Sequence, residues 1–483
     1  MNRREASSAT IGGVNLADSA HVVIIGGGPG GYEAALVARQ LGAEVTIVDR
    51  DGLGGSAVLT DCVPSKALIA TAGVIWSTEH SGALGVRIDG QPPTPRQIGV
   101  DLTVVNERIL GLAAAQSTDI TAKMVQAGVT VIRGRGRLTG ETSVMALKPD
   151  GSMSQLHADV ILIATGTRPR ILDTAIPDGE RILTWEQVYD LTELPERLIV
   201  VGSGVTGAEF AGAYHGLGSS VVLVSSRDRV LPGEDPDAAR VIEDVYRRSG
   251  IEVMSHSRAV AARRTETGVE VELEDGRLVT GSHVLMAVGS LPNTDELGLE
   301  DAGVAIDDNG YIITDRVSRT TVRTIYAAGD CTGIMMLASV AAMQGRIAMS
   351  HALGDAVVPL ELEHVSSTIF TRPEIATVGL TQKGLDSGAF RGDVIMLQLA
   401  TNARSKMEEQ HDGFVKIFCR RGSRIIAGAV IVSEHASELI HALTVAVEQR
   451  LTADELATTF TVYPSLSGSI AEAARQLHVT AEG

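Results

Sequence analysis

Twice along this chain a short apolar run ends in a glycine loop of the same spacing, and each loop leads into a helix-like stretch and a second apolar run. In the first copy, residues 21–25 meet Gly26-Gly27-Gly28-Pro29-Gly30-Gly31, residues 33–40 read as helix and residues 45–48 as strand. In the second, residues 198–201 meet Gly202-Ser203-Gly204-Val205-Thr206-Gly207, followed by helix-like 208–217 and strand-like 221–224. Each is the signature of a βαβ unit. In such a loop the first glycine makes the tight turn, the second lets backbone approach a pyrophosphate, and the third lets helix and strand pack closely. The helix N-terminus then faces the anion.

The two copies end differently. Asp49 closes the first, where a carboxylate can accept hydrogen bonds from a ribose 2′-hydroxyl. Ser225 stands at that place in the second, followed by Ser226, Arg227, Asp228 and Arg229. A carboxylate there would repel a 2′-phosphate, whereas hydroxyl and guanidinium groups can bind one. NADPH is therefore expected as a substrate alongside NADH; the competing reading makes Arg227 and Arg229 a solvated surface turn.

The bulk numbers fit large buried sheets. A chain of 483 residues is too long for one core and suggests three or so domains. With aromatics at 3% and 52 glycines, its interior must be aliphatic, which suits parallel strands buried on both faces. A net charge of −18 repels phosphodiester backbones, so no nucleic-acid partner is expected. No apolar stretch approaches the ~20 residues of a membrane span. The residues up to Ala20 lack a continuous apolar segment, and 1–19 read as a disordered tail. Cys62, Cys331 and Cys419 are odd in number and lack metal-ligand spacing, so no metal and a cytoplasmic location are expected.

Between and after the copies, residues 92–95 mark a loop, 102–126 a long helix, and 160–164 a buried strand ending in Thr165-Gly166. Residues 284–288 end in Gly289 with Pro292 and Asn293, and 325–328 end in Gly329-Asp330. From about 360 onward, strand-like 415–418 and 425–432 alternate with helix-like 436–448 and 468–477.

Several motifs, in this order, resemble the pyridine nucleotide disulfide oxidoreductase family, whose members include lipoamide dehydrogenase. They are the two glycine loops, the second leading to Glu209; Gly54-Gly55 leading to Cys62-Val63-Pro64-Ser65-Lys66; Ala164-Thr165-Gly166; Val288-Gly289; Ala328-Gly329-Asp330; and Phe370-Thr371-Arg372-Pro373-Glu374. The resemblance covers nearly the whole chain from residue 21. It implies an α/β fold with FAD-binding segments at 20–168 and 291–358, an NAD(P)-binding domain at 169–290, and an α+β dimerisation domain at 359–483. It also implies that FAD is held by Gly26, Gly28, Gly31, Asp49, Gly55, Lys66, Gly136, Thr165, Gly166, Asp330 and Ala338, and the nicotinamide cofactor by Gly202, Gly204, Gly207, Glu209, Ser225, Ser226, Arg227 and Gly289. By the same resemblance Lys66 pairs with Glu209 beside the hydride-accepting flavin nitrogen, where a cation stabilises negative charge on the reduced ring.

Two departures from the family decide the expected chemistry. Where disulfide reductases carry two cysteines separated by four residues, this chain has Ala57 and Cys62. A mixed disulfide needs a neighbouring thiol to resolve it, so one sulfur cannot run a dithiol relay. Cys62 reads either as a thiolate against the flavin or as a space-filling thiol, and Cys331 and Cys419 as buried packing thiols. Near the C-terminus, where the family brings a histidine and a glutamate across a dimer interface, the chain reads Tyr463-Pro464-Ser465-Leu466-Ser467-Gly468. A phenol cannot take up protons at neutral pH as imidazole does, but it can hydrogen-bond a developing oxyanion. The combination resembles a branch of the family that lacks the disulfide and reduces quinones with NAD(P)H. The expectation is a homodimeric NAD(P)H:quinone oxidoreductase working in a ping-pong sequence, with Lys66, Glu209, Cys62 and Tyr463 as its reacting-site residues. Transhydrogenase, lipoamide dehydrogenase and non-turnover flavin-sensor activities are the alternatives.

Overall fold

The computed structural model describes residues 20–94 and 97–477; the expected tail at 1–19 and Pro95 of the expected loop lie outside them. The chain divides into two compact units. One gathers the described residues up to Val63 with Gly111–Arg168 and Ser290–Leu360; the other gathers Pro64–Leu110, Pro169–Gly289 and the described residues from Glu361 onward.

In the first unit, β1 (His21–Ile25), α1 (Pro29–Gln40) and β2 (Glu44–Asp49) form the expected βαβ. The strands lie in a five-stranded parallel sheet of order Ile325–Ala327, Val160–Ile163, β1, β2, Thr130–Arg133. Strand residues alternate between faces. Val22 and Ile24 accordingly pack with Ala34, Ala35 and Ala38 of α1, while Val23 and Ile25 pack with Leu138, Val144 and Ile161 on the opposite face. Burial on both faces is what the uninterrupted aliphatic run of β1 requires.

The second unit repeats the device. β3 (Arg197–Val201), α2 (Val205–Leu217) and β4 (Ser220–Val224) sit in a parallel sheet of order β5 (Glu252–Met254), β4, β3, His283–Met286, Ile182–Leu183. Between β4 and β5 runs α3 (Pro236–Ser249). His21 stands beside Glu44 and Arg197 beside Ser220, a step of 23 residues each time, so Asp49 and Ser225 occupy equivalent places. Leu198 and Val200 pack with Phe210 and Tyr214, and Ile199 and Val201 with Val269, Val271 and Leu273. Pro64–Leu110 groups here because Ala67, Leu68, Ala72 and Ile109 share the core of Phe210, Ala213 and Tyr214.

The same unit holds a five-stranded antiparallel sheet of order Ser366–Ile369, Glu374–Gly379, Ile426–Ser433, Phe414–Arg420, Gly392–Gln398. Helices Ala436–Glu448 and Gly468–Gln476 pack against it through Ile440, Leu443, Ile470 and Ala473. Among the described residues one helical stretch, Gly55–Leu84, is long and apolar enough by length and composition to cross a membrane, where the sequence reading expected none. It is broken between the helices Gly55–Leu59 and Cys62–His80, and its Leu68 and Ala72 lie in the core.

Candidate functional site

The two glycine loops share one geometry. Gly26 and Gly202 adopt φ of 103° and 113°, and a Cβ on either would lie 2.2 or 2.1 Å from a backbone oxygen, of Ala164 and Ala287 respectively. Only glycine fits. The middle glycines differ: a Cβ on Gly28 meets nothing nearer than Gly55 Cα at 3.9 Å, and one on Gly204 meets nothing within 4 Å. Each middle glycine is also the N-cap of its helix, with no side-chain cap and no acid in the first turn. Bare N–H groups, the positive end of a helix dipole and open space on the loop are the requirements of a pyrophosphate cradle. By contrast α3 is capped by its own chain, with Asp235 accepting from the N–H groups of Asp237 and Ala238.

The structure gathers Gly26, Gly28, Gly31, Asp49, Gly55, Gly136, Thr165, Gly166, Asp330 and Ala338 into the first unit. Gly55 approaches Gly28 so closely that a Cβ on it would lie 2.8 Å from Gly28 Cα, and one on Gly136 would strike Ile25 at 2.9 Å. Space beside Gly166 is open to 4 Å. Ala338 opens the helix Ala338–Ala352, which has no side-chain cap, and Thr165 Oγ1 donates to Asn293 O at 2.8 Å. Asp49 ties the first loop together: one carboxylate oxygen accepts from Gly27 N at 2.7 Å, the other from Asp51 N at 3.0 Å and Gly52 N at 2.6 Å.

Asp330 is held in a 3₁₀ turn at the exit of Ile325–Ala327 and accepts from Thr167 Oγ1 at 3.3 Å. Burial, with the Asp61 charge adding to it, pushes its carboxyl up to about 6 against the partial relief of that hydrogen bond. A largely buried acid of this kind gains from further hydroxyl donors, which a ribityl chain carries. These cradles and this acid fit FAD.

In the second unit Glu209, the fifth residue of α2, is only 4% exposed on its side chain. Its Oε2 lies 2.9 Å from Lys66 Nζ and its Oε1 accepts from Phe370 N at 2.8 Å. Lys66 Nζ also stands 5.1 Å from the centre of the Phe370 ring. The expected Lys66–Glu209 pair is thus formed, with both carboxylate oxygens in use. The part played by Phe370 was missed from sequence because a backbone N–H leaves no residue-type signal.

Ser225 turns inward. It is fully buried, its Oγ lies 2.7 Å from Ser203 Oγ in the glycine loop, and it accepts from Arg227 N at 3.1 Å. Ser226 and Arg227 are exposed, and Arg229 is ion-paired with Asp228. Beside Gly289, at φ 97°, space is open to 4 Å. Tyr463 lies between helices Ala453–Thr458 and Gly468–Gln476 and is 87% exposed, as are its neighbours Phe460 and Val462 to a similar degree. Cys331 and Cys419 are buried as expected, and burial pushes the Cys331 thiol up to about 11. Cys62 is half-buried as the first residue of the helix Cys62–His80; no disulfide forms, and among the described residues no group of side chains could hold a metal ion.

A sequence model described as pyridine nucleotide-disulphide oxidoreductase matches residues 20–345, and one for the dimerisation domain of that group matches residues 365–474. The chain belongs to the pyridine nucleotide-disulphide oxidoreductase family. Members of this family use FAD and NAD(P)H. Within the family, the chain is 54% identical over 465 residues to the NAD(P)H dehydrogenase (quinone) of Mycobacterium tuberculosis, covering 94% of this chain and 93% of that one. It is 33% identical over 463 residues to the dihydrolipoyl dehydrogenase of Chlorobaculum tepidum, covering 95% and 97%. The crystal structure of LpdA from Mycobacterium tuberculosis superposes with a TM-score of 0.91 at 53% identity, over 95% of this chain and all of that one. The HOCl-induced flavoprotein disulfide reductase RclA from Escherichia coli shares the fold, with a TM-score of 0.83 at 22% identity.

Proposed function

We propose that this protein oxidises NAD(P)H and reduces quinones directly at its flavin, without a redox disulfide. The observation that carries the reading is Ala57 standing where the dithiol chemistry needs its second sulfur, beside a single Cys62. The relative named NAD(P)H dehydrogenase (quinone), alike over nearly the full length of both chains, supports it.

FAD, when bound, supplies a carrier that accepts two electrons from a nicotinamide and passes them to an acceptor in direct contact. On this reading the first loop, Asp49 and Asp330 hold it, with Gly55, Gly136, Thr165, Gly166 and Ala338 shaping its bed. Gly202, Gly204, Gly207 and Gly289 seat the nicotinamide dinucleotide. Glu209 fixes the Lys66 ammonium at 2.9 Å and is itself fixed by the Phe370 N–H, so the cation is delivered in one orientation to the place where negative charge develops. Tyr463 lines the acceptor site and offers its phenol to the quinone oxygen. Cys62 fills space beside the flavin.

The finer organisation belongs to the same reading: FAD-binding segments 20–168 and 291–358, an NAD(P)-binding domain 169–290, a dimerisation segment 359–483, and a cytoplasmic homodimer in which the partner's C-terminal segment completes the site. The exposure of Phe460, Val462 and Tyr463 on the single chain supports such a partner. Steady-state NAD(P)H consumption with benzoquinone and naphthoquinone acceptors, against lipoamide and glutathione disulfide, tests the reading. Turnover with the quinones is expected. Turnover confined to the disulfides would overturn it.

A further inference from the structure

The expectation that NADPH is a substrate rested on Ser225, Ser226, Arg227 and Arg229, yet the Ser225 hydroxyl is sealed in the interior against Ser203, and Arg229 is ion-paired with Asp228. Two exposed groups remain, Ser226 and Arg227. In an open parallel sheet ligands bind beyond the carboxyl ends of the strands. β4 and β5 end side by side, with Val224 opposite Met254. Beyond those residues the two exit segments stay joined by backbone hydrogen bonds: Ser225 N to Met254 O at 2.9 Å, Ser257 N to Ser225 O at 2.7 Å, and His256 N to Arg227 O at 2.8 Å.

The last of these bonds sets His256 directly beside Arg227, on the same edge of the sheet. His256 is exposed and holds a left-handed φ of 52°, a conformation uncommon for side-chain-bearing residues, fixed here by that bond and by the buried neighbour Ser257. The charged groups around it are Arg227, Asp228 and Arg229 on the β4 exit and Arg258 on its own segment; Arg277, paired with Asp275, reaches Ser257 Oγ at 2.8 Å from the other side. Asp228 is an acid that interacts with His256, and Glu274, whose N–H bonds to Arg258 O at 2.8 Å, lies on the neighbouring segment with Asp275. The Asp228 carboxyl is held below the usual range by its hydrogen bond from Arg229 first, with the charge of His256 a further, smaller cause.

We infer that His256 is a specificity-determining contact for the 2′-phosphate of NADPH, closing with Ser226 and Arg227 a three-sided site across the exits of β4 and β5. The inference rests on the reading that NADPH is a substrate. An imidazole N–H can donate a hydrogen bond to a phosphate oxygen, and a contact from the β5 exit would come from a different segment than Ser226 and Arg227. No glycine-loop pattern marks this residue, since it follows β5.

The test compares kcat/KM for NADPH and NADH in wild type, Arg227→Ala, His256→Ala, His256→Asn and His256→Arg, together with displacement of NADPH by 2′-AMP and by 5′-AMP. Asparagine tolerates the left-handed backbone and removes the imidazole, so it separates loss of the contact from local misfolding. The NADPH/NADH ratio is expected to fall about tenfold in His256→Asn, to be retained in His256→Arg, and 2′-AMP to lose its advantage over 5′-AMP in parallel. Arg263→Ala, which removes a cation paired with Glu272 elsewhere on the unit, should leave the ratio unchanged. An unaltered ratio in His256→Asn alongside a fall in Arg227→Ala overturns the role of His256 alone. An unaltered ratio in Arg227→Ala as well overturns the NADPH reading beneath it. Equal losses with both nucleotides would place His256 against the adenosine common to both, and would also overturn the inference.

Discussion

The two βαβ units are the same device put to two uses, and their differences lie where the sequence is short and polar. Both loops bring glycine to the same strained turn and leave the middle glycine bare. Both carry a glutamate two residues after the last loop glycine. Glu33 pairs with Arg346 at 2.7 Å within the first unit, while Glu209, buried, pairs with Lys66 and takes the Phe370 N–H. At the end of the second strand, Asp49 spends its carboxylate on three loop N–H groups, and Ser225 joins Ser203 in a hydroxyl pair. Glycine positions thus define the device, and the polar positions define what each copy does.

The largest effects are expected from breaking the shared turn in one copy at a time. Gly26→Ala and Gly202→Ala each force a Cβ to about 2 Å from a carbonyl oxygen at a φ that alanine resists. Gly26→Ala should purify with little flavin, read by the ratio of visible to ultraviolet absorbance. Gly202→Ala should keep its flavin and raise KM for NAD(P)H more than tenfold. Loss of flavin in both would mean that the copies are not independent.

Next comes the glutamate pair. Glu209→Gln should slow anaerobic flavin reduction by about a hundredfold, because the buried carboxylate that orients Lys66 is gone. Lys66→Met should go further in stability, costing up to about 3 kcal/mol by urea titration, since it leaves Glu209 buried without its cation. Glu33→Gln should change stability by under about 1 kcal/mol, as expected of a more exposed pair. A Glu33 effect as large as that of Glu209 would erase the contrast.

Asp330 gives a pH test of the first copy. Its carboxyl is raised in the fold to about 6, so the neutral form is the favoured one. The associated stability is present in full below the ordinary carboxyl pKa and is lost as pH rises through about 6. Flavin-stripped protein should therefore lose about 2–3 kcal/mol between pH 4 and pH 7 at this group, and Asp330→Asn should remove that step. A small effect, comparable to that of Glu33→Gln, belongs to Ser225→Ala, which breaks the pair with Ser203. It should cost about 1 kcal/mol and shift the NADPH/NADH ratio less than Arg227→Ala does.

The glycine loops, their strands and the long helix Leu102–Gln126 were legible because period and punctuation are written in residue types. The pairing of Lys66 with Glu209, 143 residues apart, was reachable only through family resemblance, since either charge alone reads as surface. What stayed hidden depends on backbone groups and on side-chain direction. Phe370 acts through its N–H, Ser225 points inward where its type suggested outward, and His256 reaches the nucleotide edge by strand order rather than by spacing.

The account stands on electrons leaving this chain without passing through sulfur. Protein reduced by one equivalent of NADPH under anaerobic conditions, then mixed in a stopped-flow instrument with benzoquinone or with lipoamide, measures that directly through flavin reoxidation. Fast reoxidation by the quinone and none above background by lipoamide are expected. Reoxidation by lipoamide at a comparable rate would contradict this expectation.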